Sequence, residues 1–219
     1  MKKYQKILFD LDGTVSDPKI GITKSFQYAL EFFGIAVESL DELEPVIGPP
    51  LKQSFMEFYH LSEADAVVAI EKYRERFGKK GLYENTLYPG MKELLEQLKA
   101  EGCELAIASS KPTFYVEQIL DYFEIRSCFS HVVGAHMDGR RGEIEEVVED
   151  AIDLLGGAKE KKHMIMVGDR KFDIFGAHQN GLPAVGVTYG YGGKQELSEA
   201  GADVLVDSVA QLRVALLGV

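Results

Sequence analysis

Apolar and polar positions are arranged in blocks along this chain. Short apolar runs stand at 4–9 (YQKILF), Glu104–Ala108, His131–Gly134, Met164–Val167, Ala184–Val187 and Val204–Val206. Between them lie amphipathic stretches of helical length at about 90–101, 112–123, 143–155, 171–180, 193–200 and 208–217. A short run without polar alternation is how a strand buried on both faces reads. Strands alternating with helices predict an α/β fold with a Rossmann-like parallel sheet covered on both sides. In such open sheets ligands bind beyond the carboxyl ends of the strands, so Asp10, Ser109 and Asp169, each next to the end of an apolar run, are expected to converge.

Residues 16–85 break the alternation, with helical patterns at about 18–33, 39–46, 51–59 and 62–78 and no strand. This predicts a helical cap domain (16–85) inserted into an α/β core made of 1–15 and 86–219, with linkers close enough for a lid. Phe26, Leu30, Phe33, Phe55, Phe58 and Tyr59 have the spacing of a helical core within it. The loop Ile47-Gly48-Pro49-Pro50 reads either as a rigid helix connector or as a stiff loop that approaches a substrate through Gly48.

Composition narrows the class. Hydrophobic residues make up 46% and charged residues 27%, the balance of an ordinary globular chain. The net charge of −11 makes nucleic acid and anionic membrane surfaces poor partners. The apolar start is broken by Asp10 and Asp12, so it predicts neither a signal peptide nor a membrane span, and a mature chain beginning near Met1. Cys103 and Cys128 lack the spacing of a disulfide framework or a zinc site, which fits a cytoplasmic protein. The five histidines are scattered without ligand spacing, no phosphate-binding P-loop occurs, and Gly190-Tyr191-Gly192-Gly193 lacks the third glycine of a dinucleotide fingerprint, so it reads as a loop.

The acidic residues carry the chemistry. Asp10-Leu11-Asp12-Gly13-Thr14 places two carboxylates together at a strand end, where mutual repulsion calls for a cation. Hard oxygen ligands suit Mg²⁺, and Gly13 lets the backbone turn sharply enough for a carbonyl to join. Gly168-Asp169-Arg170-Lys171-Phe172-Asp173 follows another apolar run and predicts the remaining ligands. Either segment alone also reads as a turn that merely ends a strand.

FDLDGT after a strand, a strand ending in Ser109-Ser110-Lys111-Pro112, and VGDRKFD together resemble the haloacid dehalogenase-like hydrolase superfamily over essentially the whole chain. IGPPL, SSKP, GDRK and Tyr189-Gly190-Tyr191-Gly192 look like its phosphoglycolate phosphatase and 5′-nucleotidase-like branch. The resemblance implies a Mg²⁺-dependent phosphatase that hydrolyses a small phosphomonoester (phosphoglycolate, a sugar phosphate or a nucleoside monophosphate), as a monomer or homodimer. In that scheme Asp10 attacks phosphorus to form an aspartyl phosphate and Asp12 exchanges the protons. Mg²⁺ is held by Asp10, the Asp12 carbonyl and Asp169, with Asp173 supporting the metal loop. Ser109 binds a phosphoryl oxygen or else caps the following helix; Thr14, Ser110, Gly48 and Arg141 are the further substrate-binding candidates.

One part of the family pattern is missing, because Ile144 stands where related sequences place a lysine. Lys111 is the first candidate to replace it, ahead of Arg141, Arg140 and Lys171. Ile144 also reads as the start of an apolar stripe with Val147, Val148, Ala151, Ile152 and Leu155. A phosphomutase built on the same Asp10 chemistry, or a phosphate-ligand binding protein that has lost turnover, are the alternatives.

Overall fold

The computed structural model describes residues 4–218. In chain order the elements are β1 (Lys6–Phe9), β2 (Ser16–Asp17), α1 (Lys19–Phe32), α2 (Leu51–Tyr59), α3 (Glu63–Phe77), β3 (Thr86–Leu87) and α4 (Met91–Ala100). There follow β4 (Glu104–Pro112), α5 (Thr113–Tyr122), β5 (His131–Ala135), α6 (Ile144–Leu154), β6 (Met164–Gly168), α7 (Lys171–Gln179), β7 (Ala184–Val187), α8 (Gly193–Glu199), β8 (Val204–Val206) and α9 (Val209–Leu217). The chain separates into two compact units, one running up to Asp17 and resuming at Leu87, the other Pro18–Thr86.

The first unit is an α/β layer structure around a six-stranded sheet of order β5-β4-β1-β6-β7-β8. Every neighbouring pair is parallel. Because side chains alternate across a strand, Leu8, Ala106, Ala108, Met164 and Met166 face one layer of core, shared with Val147, Val148, Ala151 and Ile152 of α6 and with Ile174 and Ala177 of α7. Ile7, Phe9, Leu105, Ile107, Ile165 and Val167 alternate with them and are likewise buried. Both faces are therefore apolar, which is why these strands read as continuous hydrophobic runs.

The second unit is helical. Phe26 of α1 stacks on Phe55 of α2 at a centroid distance of 4.0 Å and meets Tyr59 at 5.6 Å and Tyr73 of α3 at 6.4 Å. Gly21 and Gly81 lie so close that a side chain on either would overlap the other's backbone. Arg76 makes a two-pronged bond to Glu84, at 2.8 and 3.1 Å, and also donates to Ser25.

Three details depart from the sequence reading. The helical pattern at 39–46 is a 3₁₀ helix over Leu40–Val46 rather than an α-helix, with Pro45 inside it supplying no N–H to either kind of ladder. Phe58 is 47% exposed, since α2 turns Phe55 inward and Phe58 away from it. β4 continues past Ala108 to Pro112 with its register shifted between Ser109 and Pro112, a bulge that extends the strand into the polar SSKP segment.

The six-residue stripe on α6 is buried throughout, while its neighbour Leu154 faces solvent. Replacing Ile152, 2% exposed, by alanine is expected to cost about 2–5 kcal/mol of unfolding free energy in denaturant titration. Leu154→Ala, at a position 54% exposed, is expected to change it by less than about 0.5 kcal/mol.

Candidate active site

β1 lies between β4 and β6, with Phe9 level with Ile107 on one side and Val167 on the other. The residues that follow each strand therefore emerge together: Asp10 after β1, Ser109 within the bulged end of β4, Asp169 after β6. The Asp10 N–H donates to the Val167 carbonyl at 2.9 Å, which holds the end of β1 against β6. The strand order changes direction between β1 and β6, the place where open parallel sheets form their ligand crevice.

Asp10, Asp169 and Asp173 are buried, and one oxygen of each lies within 4.8 Å of the others. Burial, with repulsion from Asp173, Asp169 and Asp12, raises the Asp10 carboxyl well above the usual range, while a Ser109 hydrogen bond opposes the rise. Burial and then Asp173 push Asp169 up to about 8, and burial pushes Asp173 up to about 6. A bound cation would relieve this repulsion, and an all-carboxylate donor set suits a hard divalent ion such as Mg²⁺. The residues present thus fit the metal that the resemblance implies.

Several backbone features make the cluster possible. Gly13 has φ +88°, and a side chain there would overlap the Asp169 carboxylate. At Gly168 a side chain would collide with Asp173. Asp169 accepts from the Tyr191 N–H at 2.7 Å and from the Thr14 hydroxyl at 3.4 Å. Asp173, in the first turn of α7, accepts from the Arg170 N–H at 3.0 Å.

The Asp12 carboxylate stands outside the triad. Lys111 Nζ contacts its Oδ2, and its buried Oδ1 has no hydrogen-bond partner. Ser109 is buried, and its hydroxyl accepts from the Lys111 N–H at 3.4 Å. It does not cap the next helix: Pro112 is the N-cap residue of α5 and no side chain bonds there. Ser110 is half-buried beside it. Thr14 is fully buried against Asp169.

The other expected cations are engaged elsewhere. Arg141 is drawn back onto α6, at 2.6 and 2.7 Å from Asp150 and 3.4 Å from Glu149, rather than onto the aspartates. Arg140 pairs with Asp138 on an exposed turn, and the Lys171 ammonium lies 5.3 Å from the Phe172 ring centroid. Ile144 is only 7% exposed and packs against Gly176 of α7, so its side chain belongs to the core. Gly48 belongs to the helical unit, half-buried with φ +107°, in the connection between the 3₁₀ turn and α2.

The sequence marks Tyr189–Gly192 as a turn typical of the resembled branch and gives Gly190–Gly193 no ligand, yet these residues pack directly on Asp169. The available signal was the pair of glycines separated by one tyrosine just beyond a strand, at the same edge as the acidic turns.

Comparison with known proteins agrees with this geometry. A family model for haloacid dehalogenase-like hydrolases matches residues 7–187. A 5′-nucleotidase of Pseudomonas aeruginosa is 45% identical over 195 residues, covering 89% of this chain and 87% of its own. A phosphoglycolate phosphatase of Vibrio parahaemolyticus is 30% identical over 216 residues, covering 94% and 93% respectively. A crystal structure described as a predicted phosphatase from Clostridium acetobutylicum superposes with a TM-score of 0.95 at 45% identity, covering 99% of both chains. With the match running from β1 through β7, across every strand that bears on the acidic site, the chain belongs to the haloacid dehalogenase-like hydrolases and is a phosphatase of that family.

Proposed function

We propose that the chain hydrolyses a small soluble phosphomonoester, with Mg²⁺ and through an aspartyl phosphate on Asp10. The observation that carries this reading is the buried Asp10–Asp169–Asp173 cluster beside an Asp12 carboxylate held by Lys111. Mg²⁺ on the Asp10, Asp169 and Asp173 carboxylates and the Asp12 carbonyl would supply positive charge against the phosphoryl oxygens. An Asp10 oxygen attacks phosphorus in line, and the bond to the leaving oxygen breaks as Asp12 gives that oxygen a proton. Asp12 then takes a proton from water, which attacks the acyl phosphate, releases inorganic phosphate and restores Asp10. Ser109, already bonded to Asp10, offers its hydroxyl and backbone N–H to a phosphoryl oxygen. Lys111 orients Asp12 and supplies the cation missing at Ile144, which answers the one feature that favoured a protein without turnover.

The names of the relatives support phosphoglycolate or a nucleoside monophosphate as the substrate class. The helical unit is proposed as the cap because the chain leaves the α/β unit at Asp17, soon after Asp10, and returns at Leu87. Within it the Gly48 loop, stiffened by Pro49 and Pro50, is the proposed reader of the leaving group.

Phosphate release from a panel of aryl, sugar and nucleoside phosphates and phosphoglycolate tests this reading. Mg²⁺ should support turnover and a chelator abolish it, and Asp10→Asn should lower kcat by at least about 10³-fold, the scale of losing a nucleophile. Substantial residual activity in Asp10→Asn would remove Asp10 from that role, and an isomerised product without free phosphate would point to a mutase.

Lys111→Ala is expected to lower kcat by about 10²–10³-fold, as for loss of one preorganised charge partner. Arg141→Ala, at a residue bound to α6, should leave kcat within about twofold. Near-normal turnover in Lys111→Ala would end the compensation model.

The raised carboxyl groups also predict a pH dependence. A raised carboxyl holds its proton more tightly in the folded than in the unfolded state, so folded stability falls as pH rises through about 6 (Asp173) and about 8 (Asp169). The metal-free Tm should fall from about pH 4, where the unfolded carboxyls ionise, to about pH 8, where Asp169 has lost its proton, and the rise in Tm produced by Mg²⁺ should be larger at the higher pH. A Mg²⁺ increment independent of pH would contradict this.

A further inference from the structure

We infer that the loop Tyr189–Gly192, between β7 and α8, is a clasp that orients Asp169 for its cation and ties it to the turn carrying Asp10 and Asp12; this rests on the metal reading above. Asp169 is held through both carboxylate oxygens. Oδ2 accepts from the Tyr191 N–H at 2.7 Å, and Oδ1 from the Thr14 hydroxyl at 3.4 Å. Tyr189 closes the circuit, its hydroxyl donating to the Thr14 carbonyl at 3.0 Å. The Tyr191 hydroxyl reaches Asp17, where the chain leaves the α/β unit. Loop and acidic turn are thus bonded at three points along residues 14–17 and 169.

The loop's own sequence answers to this contact. A side chain at Gly190 would overlap both Asp169 and the Gly13 carbonyl, and one at Gly192 would overlap the Asp169 carbonyl. The Gly192 N–H bonds that same carbonyl at 3.2 Å. Two glycines permit the approach, and the tyrosines between and before them fasten it. The Tyr189 ring packs on Tyr88 at 4.7 Å, and burial raises the titration of both loop phenols, so they remain protonated donors. None of these contacts belongs to the ladder of the sheet; they act on a carboxylate that ligates and on the segment that presents the other acidic residues. Hydrogen bonds to a ligating carboxylate fix its orientation, and their loss commonly weakens metal binding by about 10–100-fold. Tyr189 and Tyr191 are therefore positioning residues.

The test is a Mg²⁺ titration of the metal-free full chain, followed by Tm and by calorimetry, for wild type, Tyr189→Phe, Tyr191→Phe and the double variant. Each substitution removes one hydroxyl and keeps the ring. The double variant frees the loop from Thr14 and Asp17 but keeps the Tyr191 N–H bond to Asp169, so it is expected to need more Mg²⁺ for half its Tm rise by up to about 10-fold, the lower end of the scale for losing a direct bond to the ligand, and phosphatase activity should return at saturating Mg²⁺. A merely structural role would lower the metal-free Tm and leave the Mg²⁺ midpoint where it was, which would overturn the proposal. Gly190→Ala, which pushes Asp169 away by a methyl group, should shift the midpoint at least as far; should it fail to fold, the phenylalanine variants still decide. A wild type that does not respond to Mg²⁺ overturns the metal reading and the clasp together, whereas a responding wild type with equally responsive variants overturns the clasp alone.

Discussion

Like charge held in a buried place is the constraint on which this structure depends. Asp10, Asp169 and Asp173 repel one another, and their distance from water strengthens the repulsion. A protein left to minimise its own free energy would separate them. Here rigid elements prevent it: three carboxylates sit at the ends of packed strands and in the first turn of a helix, and N–H groups of Arg170 and Tyr191 point at two of them. The arrangement keeps a place for positive charge before any ion or phosphate arrives, which is how preorganised sites lower a barrier.

The α/β sheet makes the gathering possible because adjacency in a parallel sheet is independent of distance in sequence. Residues 10, 109 and 169 become neighbours once β1 is inserted between β4 and β6. The apolar faces of these strands set the register, since a slip by one residue would turn buried side chains outward. Packing that has no role in chemistry thus sets the spacing of the acids. Glycines then allow the close approaches, at Gly13, Gly168, Gly190 and Gly192, where any side chain would displace a carboxylate or its backbone.

Lys111 and Ile144 divide the two kinds of contact near the site between them. Ile144 joins an apolar layer against Gly176, so α6 gains core packing there. The bulge in β4 places Lys111 on the opposite flank, in contact with Asp12. Arg141, the nearer candidate in sequence to Ile144, is held by Asp150 and Glu149, acidic residues of the helix that follows it.

The sequence by itself determined the alternation of strands and helices, the helical insertion, the buried stripe on α6 and the turns bearing Asp10 and Asp169. These are local properties, written in the spacing of apolar residues and in Asp-Gly turns, and they need no knowledge of distant contacts. What only the tertiary structure decided was pairing between distant parts. Lys111 rather than Arg141 meets Asp12, Asp173 comes close enough to share one place with Asp10 and Asp169 while the Asp12 carboxylate stands outside it, and Pro112 rather than Ser109 caps α5. The glycines of the Tyr189–Gly192 loop mark a close approach at the strand edge, but that the approach is to Asp169 depends on what lies across from them. Periodicity reports which side of an element is buried; which charge meets which is settled when strands far apart in the chain are laid side by side.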